Sequence, residues 1–231
     1  MVSVPPHGEA VSHASHESSE FEFGGAQPPS PADGQAEDED ATESLSIEEL
    51  AQWLDGRGIL AHISPHAAPR WAELYSTAGA GKPAGVWYAV GGSWIRFCAV
   101  DMASWLADSP YVYALGVDRS LLKVLDSDVC TRVFIDTYGA GEGAINWPAF
   151  RAIGYTGVEI NPYSMTFRDE DWYNAWDVES GVVWEPSALV SCCRVATRRT
   201  DGRYVLDPRM PETLRALPCA PPPAPISGGN E

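Results

Sequence analysis

From Ser44 onward, short apolar runs are separated by Gly, Pro and polar clusters, and their period switches between the two residues of a strand and the three to four of a helix. Ile47, Leu50, Trp53 and Leu54 form one apolar helical face. Ser46 with Glu49 makes a capping box ahead of it, and Gly56 and Gly58 stop it. Gly58 to Ser64 reads as a strand, Pro65 to Pro69 as a turn, and Arg70 to Thr77 as a short helix. Val86 to Val90 is a second strand, ended by Gly91-Gly92. Trp94, Phe97, Val100, Met102 and Trp105 then recur at helical spacing to about Leu106. Tyr111–Val117 and Leu121–Leu125 read as strands. Asp128–Tyr138 reads as a helix with Val129, Val133, Phe134 and Ile135 inward. Gly139 to Gly143 reads as a flexible surface loop, and Asn146 with Pro148 opens a helix over Trp147–Ile153. Val158–Ile160 and Gly181–Trp184 are the last expected strands, and the aromatic stretch Asp169–Asp177 suits helix or loop. Helices and strands do not alternate regularly, so the pattern predicts an α+β fold.

Charge changes the picture at the ends. The net charge of the 231 residues is -17, and residues 1 to 50 hold twelve acidic residues and no Lys or Arg. All nine Trp and all nine Tyr lie beyond them. An acidic, Ser-, Pro- and Gly-rich segment buries too little apolar surface to offset its ordering entropy, so residues 1–45 are expected to be a disordered acidic tail. Residues 46–205 form the expected single globular domain, and the Pro-rich 206–231 a mobile tail. Five cysteines, two of them adjacent, suit reduced thiols. No secretory leader pattern and no run of about 20 apolar residues is visible, so a soluble, intracellular protein without membrane contact is expected. The acidic balance disfavours charge-driven nucleic-acid binding, although Arg194, Arg198, Arg199 and Arg203 form a local basic cluster.

Several motif-like strings fail on chemistry. Gly79-Ala-Gly81-Lys82 lacks both the earlier Gly and the following Ser or Thr of a phosphate loop. Gly139, Gly141 and Gly143 lack the strand-to-helix context of a dinucleotide fingerprint. Pro65 breaks the helix that would place His62 and His66 on one face, so no metal site is expected.

Three apolar runs carry or border functional side chains: Gly58-Ile-Leu-Ala-His62-Ile-Ser64, Gly85-Val-Trp87-Tyr88-Ala89 and Thr156-Gly-Val-Glu159-Ile160. His62 alone fits a satisfied core histidine, Glu159 fits a strand with one wet face, and Trp87 and Tyr88 fit plain strand packing. In this order, with Ser93 after the Gly turn, they resemble the His-Tyr-Glu, poly(ADP-ribose) polymerase-like branch of the ADP-ribosyltransferase superfamily. The resemblance spans residues 58 to about 184 in layout but rests on about a dozen positions. It departs from the family at Trp87, where Tyr is usual, at Ile63, and in the residues flanking Glu159.

The resemblance implies a compact domain with a split, mostly antiparallel sheet flanked by helices. It also implies a glycosyl transfer in which NAD is the substrate and a protein or nucleic acid is the acceptor. Glu159 would hold a ribose hydroxyl and stabilise an oxocarbenium-like state, with Glu179 as the rival carboxylate. His62 and Ser64 would fix the dinucleotide, Trp87 or Tyr88 would stack on the cationic ring, and Ser93 would bond its amide. A different class of reading is a non-catalytic binding or scaffold module whose acidic tail contacts a basic partner. A related nucleotide or RNA phosphotransferase is a weaker third, because the several basic residues needed for phosphate are not evident.

Overall fold

The computed structural model describes residues 44–68, 70–76 and 81–215. Its elements in chain order are β1 (Ser44–Leu45), α1 (Ile47–Asp55), β2 (Leu60–Ser64), α2 (Trp71–Leu74), β3 (Tyr75–Ser76), β4 (Gly85–Val90), α3 (Ser93–Asp101) and α4 (Ala103–Asp108). There follow β5 (Tyr111–Val117), β6 (Leu122–Leu125), α5 (Asp128–Tyr138), β7 (Gly139–Gly141), β8 (Ala144–Ile145), α6 (Trp147–Ala152), β9 (Gly157–Ile160) and α7 (Asp171–Asn174). The last are β10 (Ser180–Val183), β11 (Leu189–Arg198), β12 (Tyr204–Leu206) and α8 (Glu212–Arg215). Residues 1–43 of the expected acidic tail and 216–231 of the expected Pro-rich tail lie outside the described residues.

Local chemistry explains the helix starts. The Ser46 hydroxyl accepts from Glu49 N–H while the Glu49 carboxylate accepts from Ser46 N–H, the reciprocal box that satisfies two end donors of α1. Ser127 caps α5 through Cys130 N–H, and Asn146 caps α6 through Ala149 N–H. Asp128–Tyr138 is helical as its spacing predicts, but it is turned differently. Thr131 and Phe134 are buried, whereas Val129 and Val133 are exposed, which corrects their inward assignment.

The fold is α+β, with a mostly antiparallel sheet in the order β1-β12-β11-β5-β2-β4-β10-β9-β6 and β3 also paired to β4. Among its pairings in the described residues, β6 with β9 is the parallel one. Register places Ala61, Ala89, Trp87, Val182, Val158 and Leu125 toward one face and His62, Tyr113, Tyr88, Gly181 and Glu159 toward the other. Two apolar clusters cover the first face. One joins α1, α3 and α4 to β2, β5 and β11 through Leu50, Leu54, Ile95, Cys98 and Leu106. The other joins α5, α6 and α7 to β9 and β10 through Phe134, Phe150, Trp172, Tyr173 and Trp176. The opposite face holds Leu74, Tyr88, Tyr113, Leu122 and Ala188.

Four expectations change. The helix expected over Arg70–Thr77 is one turn, because Tyr75 and Ser76 pair with Val86 and Gly85 as β3. The helix from Ser93 breaks at Met102, whose backbone is non-helical, into α3 and α4. The Gly139–Gly143 segment is not a plain loop but the hairpin β7-β8. Gly181–Trp184 is not the last strand, since β11 and β12 follow it.

The last change moves the domain edges too. Ser44 and Leu45 pair with Val205 and Tyr204, and Asp207 and Met210 are buried, so the folded unit passes the expected limits of 46 and 205 at both ends. It also accounts for most of the basic cluster: Arg194 pairs with Asp207, Arg199 with Asp201, and Arg203 with Glu49 and the Ser44 main chain. Among the described residues no helix is long and apolar enough to cross a membrane, and no group of three or more His, Cys, Asp or Glu is placed to hold a metal ion.

Candidate functional site

The sheet opens between β2 and β4. These strands pair at Leu60 with Val90 and Ala61 with Ala89, and β3 takes over the same edge of β4 at Val86 and Gly85. Trp87 and Tyr88 lie in the gap between the two pairings. His62 bridges it: its Nδ1 is 2.6 Å from the Trp87 carbonyl oxygen. A carbonyl only accepts, so Nδ1 carries the proton, and in the neutral ring Nε2 remains an acceptor. Burial lowers the His62 pKa against the opposing pull of that hydrogen bond, which keeps the ring neutral at pH 7.

The gap opens into a cavity of about 360 Å³ on the helix-covered face. Its walls are four indoles brought from distant segments: Trp87 on β4, Trp94 on α3, Trp105 on α4, and Trp176 just after α7. Trp87 and Trp176 meet edge to face at 4.6 Å between ring centroids, and Trp94 and Trp105 at 5.9 Å. Small residues supply the floor, with Ala61 and Ala89 in register across the strands. His62, Ser76 and Ser180 add polar groups, and Tyr88 is also part of the wall. The Trp176 indole N–H is buried and has no hydrogen-bond partner among the described residues.

One cation enters this aromatic space. Lys82 Nζ lies 5.1 Å from the Trp87 ring centroid and 6.0 Å from that of Trp94, with Asp177 Oδ2 at 3.9 Å. Desolvation lowers the Lys82 pKa although Asp177 raises it, and desolvation raises the Asp177 pKa although Lys82 lowers it. Asp177 has a left-handed backbone, φ 62°, in the turn that leads into β10. Asp tolerates that conformation better than most side chains.

The three segments singled out in the sequence do meet, but they do not share one cavity. Glu159 is fully buried and turned to the other face of the sheet. Its carboxyl accepts from the Tyr88 hydroxyl at 2.8 Å and pairs with Arg119. The Tyr88 ring reaches it by crossing Gly181, where an added Cβ would lie 2.3 Å from Cζ and Oη of the ring. Desolvation first, and then the Glu159 charge, push the Tyr88 pKa well above its ordinary value, so the phenol stays a donor.

Ser64 and Ser93 are also committed elsewhere. Ser64 is buried and its hydroxyl accepts from His66 N–H. The Ser93 hydroxyl is shared between the Val90 and Glu179 carbonyls and closes the turn after β4. Glu179, the rival carboxylate, uses its main-chain oxygen in the same turn, where it also accepts from Val90 N–H.

Thus His62, Trp87 and Tyr88 are at the cavity, whereas Glu159, Ser64 and Ser93 are not among its lining residues. Lys82, Trp94, Trp105, Trp176 and Asp177 were not singled out as site residues by sequence reasoning. The dense pattern of Asp171-Trp-Tyr-Asn-Ala-Trp-Asp177 is the signal that bears on two of them: it buries Trp172, Tyr173 and Trp176 and delivers Asp177 beside Lys82.

Comparison of the chain with protein-family models, with curated proteins and with solved structures returns no match.

Proposed function

We propose that the chain is an ADP-ribosyltransferase-like protein that binds the nicotinamide-ribose end of NAD between β2 and β4 and transfers ADP-ribose to a protein or nucleic-acid acceptor. The observation that carries this reading is the parted pair of strands, where His62 spans the opening and Trp87 faces an indole-lined cavity. A volume of about 360 Å³ is at the lower end for ligand sites, which suits a ring and a sugar with the rest of the dinucleotide outside.

In this reading an indole face receives the flat cationic ring, and His62 Nε2 accepts from a ribose hydroxyl. Transfer breaks the bond between ribose and the ring nitrogen. The electron pair leaves with nicotinamide, the acceptor nucleophile bonds to the sugar carbon, and the acceptor's proton is lost. A carboxylate near the sugar stabilises the positive charge between those events. Glu159 was the expected provider, but its contacts with Tyr88 and Arg119 behind the wall favour a bracing role. Asp177, at the side of the cavity that Lys82 enters, takes the catalytic role in this proposal.

Calorimetric NAD titration and nicotinamide release, measured on the full chain and on Trp87→Ala, Asp177→Asn and Glu159→Gln, test the reading. We expect Trp87→Ala to weaken binding at least tenfold, Asp177→Asn to bind but not turn over, and folded Glu159→Gln to retain turnover. Absence of NAD binding up to millimolar concentration sinks it. Binding without turnover in the wild type favours the second reading, a non-catalytic module, which the engagement of Glu159 by two partners supports.

A further inference from the structure

The position of Lys82 has a meaning separate from any dinucleotide. A lysine beside a cavity ordinarily extends its ammonium into water, which solvates that compact charge strongly. Here the side chain is 31% exposed and its ammonium faces two indole rings, with a carboxylate 3.9 Å away, longer than a hydrogen bond. That is the environment in which aromatic sites hold organic cations: ring faces for the charge and one acid to balance it.

The backbone around Lys82 is clamped. The Gly81 carbonyl accepts from the Trp147 indole N–H at 2.8 Å, and the Ala84 carbonyl accepts from Arg151 Nη2 at 2.6 Å. Pro83, between them, is buried. A change in the position of the ammonium is therefore a swing of the flexible four-carbon stem and not a loop movement.

We propose that the indole-lined cavity is a site for a small organic cation of the pyridinium or quaternary-ammonium class, and that Lys82 is its intramolecular occupant. The ligand cation takes the place of the ammonium between Trp87 and Trp94 and inherits Asp177 as counter-charge. Two cations cannot share one carboxylate and the same ring faces without repulsion, so binding and swing are coupled. Lys82 thereby sets the affinity: it competes with every cationic ligand and leaves neutral ones less affected. The weakened hold of the half-buried ammonium on its proton agrees with a poorly solvated resting position.

The test is calorimetric titration of the full chain with 1-methylnicotinamide, a cation, and with nicotinamide, its neutral relative. It is made on wild type, Lys82→Ala, Lys82→Met and Lys82→Ala/Asp177→Asn. Lys82→Met keeps the apolar stem against the rings, and near-ultraviolet circular dichroism checks that the indoles remain packed. We expect at least tenfold tighter binding of 1-methylnicotinamide in both single variants, less than a threefold change for nicotinamide, and loss of the gain in the double variant. Equal gains for both compounds would reveal only added space and overturn the proposal. An unchanged or weaker affinity for the cation in folded Lys82→Met overturns it as well. Cation binding that behaves as expected in a protein that does not bind NAD leaves this inference standing and removes the NAD reading; the reverse pattern does the opposite.

Discussion

Replacing Gly181 by Ala tests the bracing of the sheet behind the cavity. The added Cβ would lie 2.3 Å from Cζ and Oη of Tyr88 and 2.8 Å from Cε2. These atoms belong to a stiff ring that is 3% exposed, so neither the methyl nor the ring has a free direction. Overpacking of that kind costs about 1–3 kcal/mol. Displacing the ring also breaks the 2.8 Å hydrogen bond to Glu159, and a bond of this type to a charged group contributes about 1.5–3 kcal/mol. One ring movement serves both losses, so they add incompletely and the expected cost is about 3–5 kcal/mol. Elsewhere in a strand, Gly to Ala would stabilise by roughly 0.5–1 kcal/mol, which makes the sign decisive.

Urea titration followed by indole fluorescence reads this cost as a lower midpoint at unchanged slope. Tyr88→Phe keeps the ring and removes the donor, and is expected to cost about 1.5–3 kcal/mol. Tyr88→Leu removes the obstructing atoms, so Gly181→Ala made on that background should cost much less than on the wild type. If Gly181→Ala is within about 0.5 kcal/mol of wild type, the crossing of Tyr88 over Gly181 is wrong. So, with it, is the assignment of Glu159 to the braced face.

Other outcomes follow from single contacts. Ser46→Ala removes the cap of α1 and should cost about 1 kcal/mol, read as a fall in Tm of about 2–4 °C by calorimetry. For Asp207, burial alone would raise the pKa, but hydrogen bonds from Arg209 and Arg194 hold it down at about 2, against 3.8 for the free group. Its roughly 2 kcal/mol is therefore fully present above about pH 4 and lost as pH falls toward 2. Asp207→Asn should flatten that acid limb in pH-dependent denaturation, and an unchanged limb would exclude the linkage. Desolvation pushes the Cys98 thiol up to about 12, and the residue is fully buried, so iodoacetamide at pH 8 should modify it only after unfolding.

What the sequence made legible divides along physical lines. Capping boxes and Asn or Ser caps are made by residues three apart, so the starts of α1 and α6 could be read from the string itself. Strand β11 escaped because its alternation is broken. Register shifts between Leu189 and Ser191 and between Arg194 and Ala196 bury Val195 and Ala196 side by side and leave Ser191 and Cys192 exposed. Arg194 and Arg203 read as parts of a free basic cluster because the acids that pair with them, Asp207 and Glu49, come from other segments. In α5 the apolar residues Val129 and Val133 form no contact stripe because Phe134 sets which side of the helix meets the aromatic cluster.

The candidate site shows the same limit more sharply. Each of the three short segments could be recognised as a strand with a polar or aromatic passenger, but period-two alternation alone does not say which neighbours share a face. Tyr88, one residue from Trp87, borders the cavity but carries its hydroxyl to the opposite face, and pairing through Gly181 to Glu159 places that acid there too. Only the register decides this, and register is a property of four strands together. Lys82 and Asp177 are 3.9 Å apart in the fold and far apart in the chain. The Gly-Lys string around Lys82 invites a phosphate reading, whereas its surroundings are aromatic and acidic, which favour a cation and penalise a phosphate. The chemistry of that lysine therefore follows from its neighbours in space and runs opposite to what its neighbours in sequence suggest.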